Sequence, residues 1–594
     1  MTRFIAGIAF LLRLGLRLDR RRLAISAALV ISGYAATPLI GLALKALTDA
    51  ALTDHISAAV DMGILLAILF VFELMLAHFA HLYYFELGEL QEAELTTELM
   101  DIANGAQRLE YLNSAHFQDK LTLVREDLPL TFRALEAVLQ LTGLGLQTAI
   151  TTVILGVLNS WLLMLPLAAV PPVLATRRAQ RVIEEAKEST AELTTLSRHL
   201  LELSTSVEAI KEIRLYRAER ELLTRQDALW AQVTEALRRA HLLAAALRGG
   251  GQAIFAAAYG GAIVLLLRQS ANGHASVGDV VLIITLAVQV SLQVAQILRL
   301  IASLQGTAKT VERIRALRQS AISPTESSAR VSAPQRLEHG ICLQDLGFAY
   351  QGASQSALSK VCLEIPAGST VALVGENGAG KSTLVKLLCG LYLPTEGAIY
   401  IDRQDLNNID PREWQRRVSA LFQDFASFEL RLRENVGLGE RDLIGDDEAV
   451  REALRRAHAD VVAEVVPGGL DGLVGTGYGD GTPLSGGQWQ ALGLARALIR
   501  TEPLLLVLDE PNAALDAAAE QAIFQMYRAA ATAAADQLGT ITLLVSHRLA
   551  TASLADLIVV LNNGQITEVG THSALLNRGG LYAELYRTQS KIYQ

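Results

Sequence analysis

Six long apolar stretches, all lying before about residue 303, restrict what this chain can become more than any other feature of its sequence. They run roughly over 23 to 47, 59 to 83, 138 to 158, 161 to 180, 242 to 268 and 277 to 303. A bilayer core takes about 20 apolar residues in helical form, so each stretch is read as a membrane span. Whole-chain composition hides this, because 51% hydrophobic and 19% charged residues average two unlike halves. After the last stretch the chain reads as a soluble domain.

The connections alternate in character. Those after the first, third and fifth stretches are short, as in TDAALTDHIS and RQSANGHASVGD. Those after the second and fourth are long, charged and helical in period, as in RRAQRVIEEAKESTAELTTLSRHLLELS, too polar to span. Arginines gather at Arg20 to Arg22 and at Arg177 and Arg178. The positive-inside rule therefore puts the amino terminus and both long connections in the cytoplasm. An even number of spans returns the second half to the same side. Residues 1 to 22 resemble a secretory signal, but Arg13 and Arg17 interrupt the apolar run and no small-residue cleavage site follows. An amphipathic interfacial helix with both arginines on its wet side is expected instead. The expected division is residues 1–22 as this elbow, 23–320 as the membrane domain, 321–336 as a linker and 337–594 as the soluble domain.

Few polar residues fall within the spans: Glu73, His78 and His81 in the second, and Gln289, Gln293 and Gln296 in the sixth. Intramembrane polar groups tend to line a pathway, and spacings of three and four place the glutamines on one helical face. They are candidates for a substrate path, with pairing to neighbouring helices as the alternative. The cysteines, Cys342, Cys362 and Cys389, all lie in the second half, without metal-ligand spacing, and are read as reduced core thiols. A net charge of -9 argues against a nucleic-acid partner.

The second half carries nucleotide chemistry. The segment from Gly375 through Glu376, Asn377, Gly378, Ala379 and Gly380 to Lys381 and Ser382 fits GxxxxGK[ST], follows the apolar strand STVALV and opens a helix that includes Thr383. Glycines let backbone N–H groups face phosphate oxygens, and the helix terminus adds partial positive charge. Lys381 is expected to reach the β- and γ-phosphates and Ser382 to offer a hydroxyl to Mg²⁺. The buried strand LLLVLDE ends in Asp509, for Mg²⁺, and Glu510, to polarise the attacking water. The segment LSGGQ places Ser485, Gly486, Gly487 and Gln488 at a helix start, suited to a second grip on a γ-phosphate. His547 follows the strand TITLLV, and Gln423 follows the strand ALF.

In this order the motifs resemble those of ATP-binding cassette (ABC) transporters of the exporter architecture, and the resemblance covers essentially the whole chain. It implies an all-α six-helix membrane domain followed by an α/β P-loop ATPase domain. It also implies adenine stacking on Tyr350, Mg²⁺ contacts from Ser382, Gln423 and Asp509, catalytic roles for Glu510, His547 and Gln423, and a further loop at Ala513 to Asp516. Segments AHFQDKLTLVRED and IKEIRLYRAE resemble the loops that dock on the ATPase domains, with Arg125, Glu126, Glu212 and Arg214 as candidate contacts or merely solvated charges. Asn512, where many relatives have threonine, and GYGDGTP before the signature depart from the commoner pattern.

In such proteins each ATP lies between two ATPase domains, so one chain is half a transporter and a homodimer is expected, a heterodimer being the alternative. ATP and Mg²⁺ are the implied cofactors, and a multi-pass place in the plasma or inner membrane is the implied location. Export of an amphipathic small molecule, a peptide or a lipid is the leading expectation. Import of a metal-chelating small molecule, or an ATP-gated channel or regulator, are the alternatives. Cysteine is absent before the spans, so leader-peptide cleavage is not expected.

Overall fold

The structure is a computed structural model that describes residues 2–105, 109–110, 112, 114–158, 160–271, 276–321, 331–477, 479–509, 537–546 and 548–592. It divides into two compact units, one of residues 1–100 and 120–316, the other of 101–119 and 317–594. The short segment 101–119, expected within the membrane domain, thus clusters with the second unit.

The first unit is helical. Helix α1 (Thr2–Leu18) keeps Arg13 and Arg17 exposed while Leu11 is buried, as an amphipathic elbow requires. The Leu11 carbonyl accepts from Gln91 Nε2 at 2.8 Å. Asp19 caps α2 (Arg20–Leu52), accepting from the Arg21 and Arg22 N–H groups. Then follow α3 (Ile56–Gly105), α4 (Ala115–Asp127), α5 (Phe132–Leu158), α6 (Val170–Ser189), α7 (Ala191–Thr205), α8 (Val207–Tyr216), α9 (Glu219–Ala271) and α10 (Val277–Ala321). At 50 residues α3 is about 75 Å long, far more than a bilayer needs.

Among the described residues, α2, α3, α5 and α10 are long and apolar enough to cross a membrane. The fourth apolar stretch falls short of that measure for a local reason. The fourth is divided between a 3₁₀ segment, Ser160–Ala169, and the start of α6, whose second half is charged. The fifth lies within α9, whose first half is charged. These two elements pack along each other closely: a Cβ at Gly251 would sit 2.8 Å from Ala175 Cβ and 3.0 Å from Pro172 Cα.

The second unit holds two sheets. An antiparallel sheet has the order β2 (Leu358–Pro366), β1 (Gly340–Phe348), β4 (Glu396–Ile401), β5 (Gln404–Asp405). A second sheet runs β10 (Gln565–Gly570), β9 (Leu557–Asn562), β3 (Thr370–Val374), β8 (Ile541–Val545), β7 (Leu505–Asp509), β6 (Val418–Leu421). All its pairings are parallel except that of β10 with β9. Buried on both faces, β3, β7 and β8 read as continuous apolar runs. Residues 331–336 belong to this unit rather than to a linker: Val331 bridges Ile409, and Ala333 is buried in the core.

Two apolar cores organise the unit. One joins β1 to β4 with α11 (Lys381–Leu388) and Trp414. The other gathers α13 (Leu432–Gly437), α14 (Asp447–Arg456), α15 (Asp460–Val465) and α16 (Gly486–Leu498). Helix α12 (Pro411–Arg416) lies before β6. Cys389 is buried, Cys342 half-buried and Cys362 exposed, so the expectation of three core thiols holds for Cys389 alone. Cys362 points outward because burial alternates along β2.

Candidate nucleotide site

The phosphate loop forms where β3 runs into α11. Gly375 has φ 151°, and a Cβ there would lie 2.1 Å from the Leu561 carbonyl oxygen, so only glycine fits. Gly380, φ 100°, caps α11, and a Cβ would meet the Ala357 carbonyl at 2.7 Å. The buried Lys381 ammonium donates to the Gly375 and Glu376 carbonyls, both at 2.9 Å, arching over the loop that it closes. Ser382 and Thr383 occupy the first turn of α11. The Tyr350 hydroxyl lies 3.1 Å from Thr383 Oγ1, and its ring meets Phe348 and Tyr392 edge-on at 4.9 and 5.7 Å. Tyr350 is thus both a neighbour of the loop and a partly buried member of an aromatic cluster.

The sheet register aligns the remaining groups. Leu373 of β3 pairs with Val545 of β8, which pairs with Asp509 of β7. At about 4.8 Å per strand, Asp509 therefore lies roughly 10 Å across the sheet from Leu373. Leu421 pairs with Leu508, which puts Gln423, exposed two residues beyond β6, at the same edge. Asp509 is 3% exposed. Burial, with the Asp509 charge adding to it, pushes the Cys389 thiol up to about 12. Ser382 and Asp509 supply a hydroxyl and a carboxylate, hard oxygen donors of the kind Mg²⁺ accepts alongside phosphate oxygens. Among the described residues there is no group of three or more His, Cys, Asp and Glu that could hold a metal ion.

The signature residues sit apart from this loop, on the helical core. Ser485 is the N-cap of α16, and its side chain accepts from the Gln488 N–H at 3.3 Å. Gln488 Oε1 accepts in return from the Ser485 N–H at 2.8 Å. Gln488 therefore completes a capping box, while Ser485 and Gly486 stay exposed at a helix start. Glu510, Asn512, Asp516 and His547 lie outside the described residues; Glu510 directly follows Asp509, and His547 comes two residues after the end of β8.

The glutamine row has partners within its own chain. Gln289 Nε2 donates to the Thr37 carbonyl at 3.2 Å. Gln293 Oε1 accepts from Thr148 Oγ1 at 3.3 Å. Gln296 Nε2 reaches the Tyr34 hydroxyl at 3.0 Å and Gln140 Oε1 at 3.4 Å. These side chains join α10 to α2 and α5, and Gln293 is 4% exposed. Glu73 accepts from Thr37 Oγ1 at 2.6 Å, His81 Nδ1 lies 2.8 Å from the Tyr84 hydroxyl, and His78 stays on its own helix, 2.9 Å from the Leu74 carbonyl.

Arg125, Glu212 and Arg214 are exposed. A contact within the second unit lies just before the segment expected to dock. The Leu109 N–H donates to the Leu391 carbonyl at 2.9 Å, and Glu110 Oε1 accepts from the Leu393 N–H at 2.6 Å. Leu109 also packs against the first core of the second unit. No motif marks these two residues.

A family model described as the ABC transporter transmembrane region matches residues 23–294, and one described as ABC transporter matches residues 358–513. An ATP-dependent lipid A-core flippase of Bordetella avium is 31% identical over 466 residues, 76% of this chain and 74% of that protein. The subtilin transport ATP-binding protein of Bacillus subtilis is 36% identical over 252 residues, 42% of this chain and 40% of that protein. The nisin transport ATP-binding protein of Lactococcus lactis is 38% identical over 245 residues, again 40% of that protein's length. The solved structure of a bacterial Atm1-family ABC exporter with ATP bound superposes with a TM-score of 0.79 at 23% identity, covering 96% of this chain and 98% of that one. At that identity the likeness speaks for the fold alone.

Proposed function

The chain belongs to the ABC transporter family, with membrane and ATPase regions in one polypeptide, and on that premise we propose that it is one half of an ATP-driven exporter. The observation that carries this reading is the separation of Lys381, on a helix of the first core, from exposed Ser485, which caps a helix of the second. A signature serine so placed suits an ATP held on another chain. Lys381, Ser485, Asp509, Glu510 and His547 are all present, which favours two identical chains with two competent sites.

In this reading the phosphate-loop N–H groups and Lys381 bind the β- and γ-phosphates and orient them. Ser382 and Asp509, with Gln423 at the same edge, hold Mg²⁺, which offsets phosphate charge when bound. Glu510 accepts a proton from the water that attacks the γ-phosphorus, the bond to the ADP oxygen breaks, and phosphate leaves. By resemblance, His547 is the switch residue of this hydrolysis. ATP binding draws the ATPase regions together, and Leu109 and Glu110 carry the movement to the membrane helices. The cargo is an amphipathic small molecule, a peptide or a lipid, leaving across the plasma or inner membrane from a cytoplasmic ATPase side.

The test of the chemistry is Glu510→Gln in the purified full-length protein. It is expected to retain ATP and to lose steady turnover; hydrolysis at the wild-type rate would overturn the assignment. Direction is tested by comparing small molecules, peptides and lipids inside cells and in the medium, with and without the gene. A compound retained in deletion cells supports export, and one left unconsumed in the medium supports import.

A further inference from the structure

The segment that leaves Gln423 is fastened to both ends of the signature region. On one side Arg496, in α16, donates to the Ala426 carbonyl at 3.1 Å and lies 4.5 Å over the Phe428 ring. On the other, the Glu429 carboxylate accepts from the Thr476 N–H at 3.0 Å and the Gly477 N–H at 2.9 Å. Two successive backbone N–H groups turned toward one carboxylate make a small anion nest. The nest is shaped for this side chain. A Cβ at Gly475, φ 113°, would lie 2.4 Å from Glu429 Cγ, and one at Gly477 would lie 2.3 Å from Glu429 Oε2.

Backbone pairing carries the link onward. The Leu432 N–H donates to the Gly472 carbonyl, and the Val474 N–H to that of Leu430. The Gly475 N–H then donates to the Thr482 carbonyl at 2.8 Å, and the Thr482 N–H to that of Leu473 at 3.0 Å. Thr482 is three residues before Ser485. Hydrogen bonds thus tie Glu429, six residues after Gln423, and its neighbours to Thr482, from which the chain runs directly into the signature cap.

We propose that Glu429 is a positioning residue for Ser485, locking the loop before the signature onto the segment that follows Gln423. Gln423 belongs to the chain's own ATP site and Ser485 to the site shared with the partner, so this lock makes the two sites report to each other. The inference rests on the proposed ATP hydrolysis at a two-chain interface. It uses Thr476 and Gly477, at the start of the stretch GYGDGTP that departs from the commoner exporter pattern, as the receptor for a carboxylate supplied by the Gln423 side.

The experiment uses the full-length protein in lipid nanodiscs. Wild-type hydrolysis that disappears in Lys381→Ala establishes the underlying reading, and its failure there is separate from any failure of Glu429. Glu429→Gln keeps shape but cannot accept at both oxygens, so kcat is expected to fall by about tenfold. Binding of a fluorescent ATP analogue without Mg²⁺, which reports the phosphate loop, is expected to stay within about twofold. Gly477→Ala is expected to lower kcat as well, and adding Glu429→Ala to it is expected to cost nothing beyond Glu429→Ala alone, since the collision has then been removed. Wild-type kcat in Glu429→Gln, a parallel loss of analogue binding, or additive effects in the double variant would each overturn the proposal. Should Gly477→Ala fail to fold, the split between kcat and binding in Glu429→Gln decides alone.

Discussion

Glu110 accepts a hydrogen bond from the backbone N–H of Leu393 at 2.6 Å, although the two residues are 283 positions apart. Leu109 packs in the same unit beside it, so residues 109 and 110 are held within the second unit by a carboxylate and an apolar side chain. At this half-buried position the bond contributes about 1 kcal/mol. Glu110→Ala is expected to leave ATP hydrolysis within about threefold of wild type while export falls much further. Measuring ATPase and cargo export in the same proteoliposomes checks this; equal loss of both would remove Glu110 from the coupling path.

Lys381 holds two carbonyls of its own loop in addition to its expected phosphates. Lys381→Met removes both the charge at the γ-phosphate and the tie across the loop. Steady hydrolysis is expected to fall by at least about a hundredfold, the scale seen when a single transition-state donor is lost. Phosphate release from the purified protein gives the rate. A residual activity above a tenth of wild type would mean that Lys381 is not the phosphate ligand.

Cys389 and Cys362 are expected to separate by reactivity. Burial and the neighbouring Asp509 push the Cys389 pKa up to about 12. The raised value favours the neutral thiol, so at pH 8 only about one molecule in ten thousand carries the thiolate. Raising the pH toward 12 would charge it only where unfolding becomes the competing event. Exposed Cys362 is expected to be alkylated by a maleimide at pH 8 within minutes, with Cys389 protected until denaturant is added. Peptide mapping by mass spectrometry reads both sites; rapid labelling of Cys389 in the folded protein would contradict its burial.

Gln296 joins three helices, reaching Tyr34 of α2 and Gln140 of α5 from α10. Interhelical hydrogen bonds in membrane proteins contribute about 0.6 kcal/mol on average. Gln296→Leu is expected to lower the melting temperature by a few degrees and to leave the identity of the exported compounds unchanged. A changed cargo profile at unchanged melting temperature would place the glutamine in the substrate path. Gln293, whose Nε2 has no partner among the described residues, is expected to tolerate leucine with a smaller thermal effect.

The chemistry was legible in the sequence because its parts are contiguous. A loop that wraps phosphate needs glycines, a lysine and a hydroxyl within eight residues, and a parallel strand announces itself as an apolar run with its functional group at the carboxyl end. Gly375 to Ser382, Asp509 and Ser485 could therefore be proposed as site residues from sequence alone. The apolar stretches likewise marked the membrane half, because span length follows from bilayer thickness. What periodicity does not carry is the identity of the neighbour. The three glutamines shared one face by spacing, but only helix packing turned that face toward Thr37, Thr148 and Tyr34. The exposure of Cys362 followed from strand alternation, which its apolar neighbours concealed. Glu110 with Leu393, and Glu429 with Thr476 and Gly477, pair residues 47 to 283 positions apart through backbone N–H groups, and a backbone donor has no residue type. Such contacts exist only once the chain has closed on itself, so tertiary structure alone decided them.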